Sequence, residues 1–137
     1  MSIQNKKINV GQVMLRSNSF PNVSEKTILK ETLETMNKFR LGVACITDND
    51  DQLLGIITAG DITRKLLSVQ KPMYAFFIDD AINQAIKNPI VASSQMSLID
   101  AVNLMEEKQV WDLPVVDNNK LVGLLHLHSA VKALLRD

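Results

Sequence analysis

Apolar and polar positions run along the chain in two matching passes. In the first, Val10-Gly11-Gln12-Val13-Met14 makes a short apolar turn, and Pro21-Asn22-Val23 is set extended by its proline. A helix follows, with Ser24 suited to cap it, Glu25 in its first turn, and Leu29, Leu33 and Met36 recurring at helical spacing. Leu41 to Thr47 is a nearly continuous apolar run of strand length, closed by the turn Asp48-Asn49-Asp50-Asp51. Leu53 to Thr58 predicts a second strand, and Asp61 opens a helix carrying Ile62, Leu66 and Leu67.

The order then returns. Ile82 to Ile86 echoes Val10 to Met14, and Pro89-Ile90-Val91 echoes Pro21 to Val23. Ser97 with Asp100 three residues on reads as a capped helix start, and Leu98, Val102 and Met105 supply its stripe. Leu113 to Asp117 answers Ala44 to Asp48. After Asn118-Asn119-Lys120, Leu121 to Leu125 answers Leu53 to Ile57, and Ser129 to Leu135 gives a last helix. The repeat spacing is about 68 to 72 positions. The pattern predicts an α/β (α+β) protein made of two β-α-β-β-α repeats, 10–67 and 82–137, after a lead of 1–9 and around a connecting segment 68–81. About 60 residues would be marginal as a lone domain. The repeats are therefore expected to pack through their sheets with pseudo-two-fold symmetry.

Composition narrows the function classes. Lys+Arg and Asp+Glu are both 15, so the chain lacks the basic excess that binds a phosphate backbone, and nucleic acid is not expected as a partner. Cys45 is the single cysteine and sits in an apolar run, which fits a reduced, cytoplasmic setting and a raised thiol pKa rather than a nucleophile. No apolar stretch approaches the roughly 20 residues that cross a bilayer, and the first residues lead into no signal-peptide apolar region. Nothing forms a nucleophile with its base, a paired-carboxylate site or a metal cluster, so the chain reads as non-catalytic. His126 and His128 would share a face of a strand, but no third ligand is evident and no metal site is assigned.

The stretch Gly55-Ile56-Ile57-Thr58-Ala59-Gly60-Asp61-Ile62-Thr63-Arg64 carries the candidate chemistry. It runs strand, tight turn, helix N-terminus, where backbone N–H groups can receive an anion while a carboxylate accepts from hydroxyls. A sugar phosphate or nucleotide suits such a place. Asp61 could also simply cap its helix, and Thr58 could bond locally at a strand end. Tyr74, Phe76 and Phe77 fall in the connecting segment, either as core packing or as an oligomer contact. Trp111 stands ahead of the second repeat's strand, for edge packing or ligand stacking.

The doubled pattern, with Gly-Ile-Ile-Thr-Ala-Gly-Asp in the first copy and Leu-Pro-Val-Val-Asp then Leu-Val-Gly-Leu-Leu in the second, resembles a tandem pair of CBS domains (the cystathionine beta-synthase module). Leu41 to Asp48 together with that glycine motif, and His126-Leu127-His128, look like the pair fused to arabinose 5-phosphate isomerases and to some sugar-phosphate nucleotidyltransferases. The chain has room for neither enzyme's catalytic domain, and it is expected to be a stand-alone pair or an excised regulatory piece.

The resemblance implies a regulatory module, usually a homodimer, that binds AMP, ADP or ATP in a cleft between the repeats and needs no obligatory cofactor. A sugar-phosphate enzyme is implied as a partner or fused domain. Carried over residue by residue, Asp61 accepts from the ribose hydroxyls, Thr58 supports it, and Arg64 meets phosphate. Phe20, Pro21, Asn22 and Val23 with Gly42, Val43 and Ala44 hold the base. Two departures matter: Ala59 stands where these subfamilies often carry an acid, and the second copy has His126 and Ser129 at the Thr and Asp positions. One competent site is expected, with the second empty or taking something other than a nucleoside. The alternative is a CBS-like interaction module with no small-molecule ligand.

Overall fold

The computed structural model describes residues 7–68 and 72–136. A short 3-10 turn, Val10–Gln12, precedes strand β1 (Asn22–Ser24), helix α1 (Leu29–Phe39), the hairpin strands β2 (Val43–Thr47) and β3 (Leu53–Thr58), and helix α2 (Ala59–Ser68). After helix α3 (Met73–Ile78) the order repeats: a 3-10 turn, Ala81–Gln84, helix α4 (Leu98–Lys108), the hairpin strands β4 (Asp112–Asp117) and β5 (Lys120–His126), and helix α5 (Leu127–Leu135). β1 runs parallel to β2, and β2 antiparallel to β3, in one sheet; β4 and β5 form an antiparallel pair. The architecture is α+β.

Turn chemistry closes both hairpins. Asp48 Oδ1 accepts from the backbone N–H groups of Asp50 and Gln52, and Asp51 takes a left-handed φ of 62°. Asn118 and Asn119 are both left-handed, as a two-residue hairpin turn requires and as Asn tolerates.

Three local expectations need correction. Ser24 does not cap α1. It ends β1 and its hydroxyl bonds the Thr27 hydroxyl, so the chain turns once more before the helix begins behind Ile28. Pro89-Ile90-Val91 forms no strand. Only Ala92 bridges to Val115, because the Asp117 carboxylate takes both the N–H and the hydroxyl of Ser94 and turns the chain out of the sheet. The apolar stripe of α2 buries Ile62 alone, while Leu66 and Leu67 are exposed. By contrast Ser97 does cap α4, accepting from the Asp100 N–H. In the connecting segment Phe76 and Phe77 pack edge to face in the core, and Tyr74 is exposed.

The backbone groups of the two lead segments settle which parts form a compact unit. One unit is Asn18–Pro89; the other joins the residues up to Ser17 with those from Ile90 onwards. The lead of each repeat is thus built into the body of the other. Ile8 O receives the first N–H of α4 from Leu98, Val10 N–H donates to Met96 O, and Leu15 exchanges both backbone bonds with Leu124 on β5. The same three ties recur in the other unit. Asp79 O receives Leu29 N–H, Ala81 N–H donates to Thr27 O, and Ile86 exchanges both bonds with Ile56 on β3. Val10 and Ala81 are each fully buried in the cores they reach.

A glycine makes room for each crossing. A Cβ on Gly123 would lie 2.8 Å from Leu15 O and 2.5 Å from Met14 Sδ, and one on Gly55 would lie 2.9 Å from Ile86 O. Neither glycine has a positive φ, so space, not backbone conformation, excludes a side chain. Gly123→Ala and Gly55→Ala are each expected to cost about 1–3 kcal/mol through overpacking against backbone. Gly42→Ala, whose Cβ would meet only Ala59 Cβ at 3.7 Å, should stay within about 0.5 kcal/mol. Urea unfolding of the three variants checks this; equal stability for all of them would refute it.

Candidate functional site

All ten residues singled out from the sequence fall in the unit Asn18–Pro89. The antiparallel register sets Val43 opposite Thr58, and the parallel register brings the residues just before β1 to the same end of the sheet. Gly42 O accepts from Ala59 N–H at 2.9 Å, which draws the start of α2 against the entrance to β2. Phe20, Pro21, Gly42, Val43, Ala44, Thr58, Asp61 and Arg64 are therefore gathered around one sheet end. Asn22 and Val23 lie further along β1, and Asn22 Oδ1 accepts from the Thr47 hydroxyl. Phe20, Pro21, Val43 and Ala44 are buried, so that this wall can offer backbone groups and apolar surface but no free polar side chain.

The polar part of the site is a three-residue tie. Thr58 is the residue before α2, and its hydroxyl accepts from Asp61 N–H at 3.1 Å while donating to Asp61 Oδ2 at 2.7 Å. Thr58, not Asp61, is thus the helix cap. Asp61 Oδ1 accepts from Arg64 at 2.7 Å, one turn further along. The Asp61 side chain is 15% exposed and that of Arg64 72%. The carboxylate is fixed from two sides, one of which is an exposed cation on a flexible stem.

The second repeat builds the equivalent strand end differently. Leu127 N–H donates to Trp111 O at 2.9 Å, the counterpart of Ala59 to Gly42, and Asp112 stands opposite His126 as Val43 does opposite Thr58. Position for position, Trp111 replaces Gly42, Asp112 replaces Val43, His126 replaces Thr58, and Ser129 replaces Asp61. His126 Nδ1 lies 2.8 Å from Asp112 Oδ1, a hydrogen bond that joins imidazole and carboxyl across the hairpin. The carboxylate has moved from the helix to the strand and is engaged by the imidazole.

This pairing was not read from the sequence, where His126 was set beside His128. The available signal was an aspartate leading an apolar strand at the register of an apolar residue in the other copy. His128 lies in α5, so the two histidines do not share a strand face. Among the described residues no group of three or more His, Cys, Asp or Glu side chains could hold a metal ion. Trp111 is 72% exposed. Cys45 is buried in β2.

A family model for the CBS domain matches residues 10–68 and 80–136. The chain belongs to the CBS domain family. The uncharacterized protein RP505 of Rickettsia prowazekii is 34% identical over 120 residues, covering 88% of this chain and 36% of that protein. The arabinose 5-phosphate isomerase KdsD of Yersinia pestis is 26% identical over 126 residues, 92% of this chain and 37% of the isomerase, which agrees with the likeness read from Leu41 to Asp48 and the glycine motif. This CBS pair spans about a third of the length of the curated relatives it matches. Among solved structures, CBSX2 in complex with AMP superposes with a TM-score of 0.82 at 25% identity, over 93% of this chain and 96% of that one. Among the described residues no helix is long and apolar enough to cross a membrane.

Burial raises the pKa of Asp112 above its ordinary 3.8, and the hydrogen bond and charge of His126 offset only part of that rise. An acid raised in the folded state contributes stability that is full below 3.8 and is lost as pH rises through the folded value. Wild type should therefore lose stability relative to Asp112→Asn as pH is raised from 4 to 7. At pH 7, His126→Ala should cost about 1–3 kcal/mol, since it leaves the 9%-exposed carboxylate unpaired. Urea titrations of both variants across that range check the direction; a wild-type advantage that grows with pH would contradict it.

Proposed function

We propose that this CBS pair is a non-catalytic regulatory module that binds an adenine nucleotide at the strand end of the unit Asn18–Pro89. Asp61 accepts from the ribose hydroxyls, Thr58 holds the carboxylate, and Arg64 turns to the phosphate. Backbone and apolar groups of Phe20, Pro21, Asn22 and Val23 and of Gly42, Val43 and Ala44 surround the base. The observation that carries this reading is the state of Asp61. Its two oxygens each accept one bond, so about half of a carboxylate's four lone-pair sites remain for a diol. Its cation partner is exposed, and such a pair is worth at most about 1 kcal/mol, so that exchanging it for phosphate costs little. CBSX2, a 25% identical CBS pair, was solved in complex with AMP.

Regulation requires that two states of the module differ in nucleotide affinity, passing the binding energy to a second copy or to a sugar-phosphate enzyme. For a homodimer, the exposed Met73, Tyr74 and Ile78 of α3 supply apolar surface, and sedimentation equilibrium gives the mass.

Thermal shift with AMP, ADP, ATP and adenosine tests the site. A nucleotide at about 100 times its dissociation constant should add about 2.7 kcal/mol of stability, and Asp61→Ala should abolish the effect. Arg64→Ala should weaken the three phosphorylated ligands by about tenfold and leave adenosine unchanged. No shift with any of the four would sink the reading in favour of a CBS interaction module without a small-molecule ligand.

A further inference from the structure

The unit that contains the second repeat holds a groove of about 470 Å³, at the hairpin end of β4 and β5 and so away from His126. Its volume lies in the usual range for small-molecule sites, roughly 300–1,000 Å³. What distinguishes it is the kind of hydrogen bonding left over on its walls. Asn9 and Gln12 form a reciprocal box: Gln12 N–H donates to Asn9 Oδ1 at 3.1 Å, and Asn9 N–H donates to Gln12 Oε1 at 2.9 Å. Only the oxygen of each amide can accept such a bond, so the box turns both oxygens to the backbone, with one lone pair of each engaged, and leaves both NH₂ groups as donors. Arg16 adds an exposed guanidinium whose one hydrogen bond among the described residues is a long 3.4 Å bond to Gly11 O. The Gln95 amide, also exposed, has no partner among the described residues.

The remaining charge is Asp117. Both of its oxygens accept from Ser94, one from the N–H and one from the hydroxyl, which holds its pKa below the usual value and keeps it ionised. A fixed negative charge on one wall disfavours a dianion, while the free donors and the planar guanidinium favour a singly charged, planar acceptor. Met14 and Val122 add an apolar stretch to the lining.

We propose that this groove is a second binding site, for a small monocarboxylate whose carboxyl meets Arg16 and the amide donors of Asn9, Gln12 and Gln95 and whose apolar tail lies on Met14 and Val122. The site is independent of the nucleotide reading, since none of these residues belongs to the unit Asn18–Pro89.

The test is an NMR titration of the intact chain, following the side-chain NH₂ signals of Asn9, Gln12 and Gln95 with butanoate, acetate, inorganic phosphate and chloride at matched ionic strength. Butanoate should give saturable shifts with acetate weaker, about fourfold for each buried methylene lost. Arg16→Gln, an exposed change that leaves the box intact, should weaken butanoate at least about tenfold. Asp61→Ala should change nothing at these signals. Non-saturating shifts, an equal response to chloride, tighter binding of phosphate than of butanoate, or an undiminished response in Arg16→Gln would overturn the assignment.

Discussion

The constraint on which the rest of this CBS pair depends is the exchange of lead segments. A repeat of strand, helix and hairpin leaves the first N–H of its helix and the outer edge of its last strand without partners, and buried backbone groups must find them. Each unit meets that demand with the lead of the other repeat: Ile8, Val10 and Leu15 on one side, Asp79, Ala81 and Ile86 on the other. Gly55 and Gly123 are the local condition, since any side chain there would meet the incoming carbonyl or methionine. The internal repeat is thus more than a duplicated pattern. Neither copy completes its own hydrogen bonding.

The same scaffold presents two strand ends, and the chain has made them unlike. In the first, the hydroxyl of Thr58 and the guanidinium of Arg64 hold Asp61 at the opening of α2, the arrangement expected where a carboxylate is to accept from a diol next to an anion. In the second, Asp112 occupies the place of a buried valine and is spent on His126, while the helix position carries Ser129. Burial raises Asp112, so that this pair responds to pH through stability. The acids of both ends are largely shielded, and they differ in their partners, a hydroxyl and a guanidinium in the first and an imidazole in the second.

Much of this was legible in the residues because it is local. The stripes of α1 and α4, the paired turns at Asp48 and Asn118-Asn119 and the Ser97 cap all involve partners within four positions. What was not legible depends on partners far apart in sequence. Ser24 is a local exception: it has the right side chain for a cap, but its hydroxyl bonds that of Thr27, three positions on. Pro89 to Val91 matches Pro21 to Val23 in pattern, yet Asp117, more than twenty residues on, takes Ser94 and ends the strand as a single bridge. His126 pairs with Asp112 across a hairpin, a relation that appears only once the register is known. The exchange of leads leaves no mark in local propensity at all.

The central claim is that one strand end is built for a nucleotide and the other is not. Isothermal titration calorimetry of the chain with AMP measures that directly through its stoichiometry. The account predicts one AMP per chain. Two equivalent AMP sites per chain, or a single site whose affinity Asp61→Ala leaves intact, would contradict it.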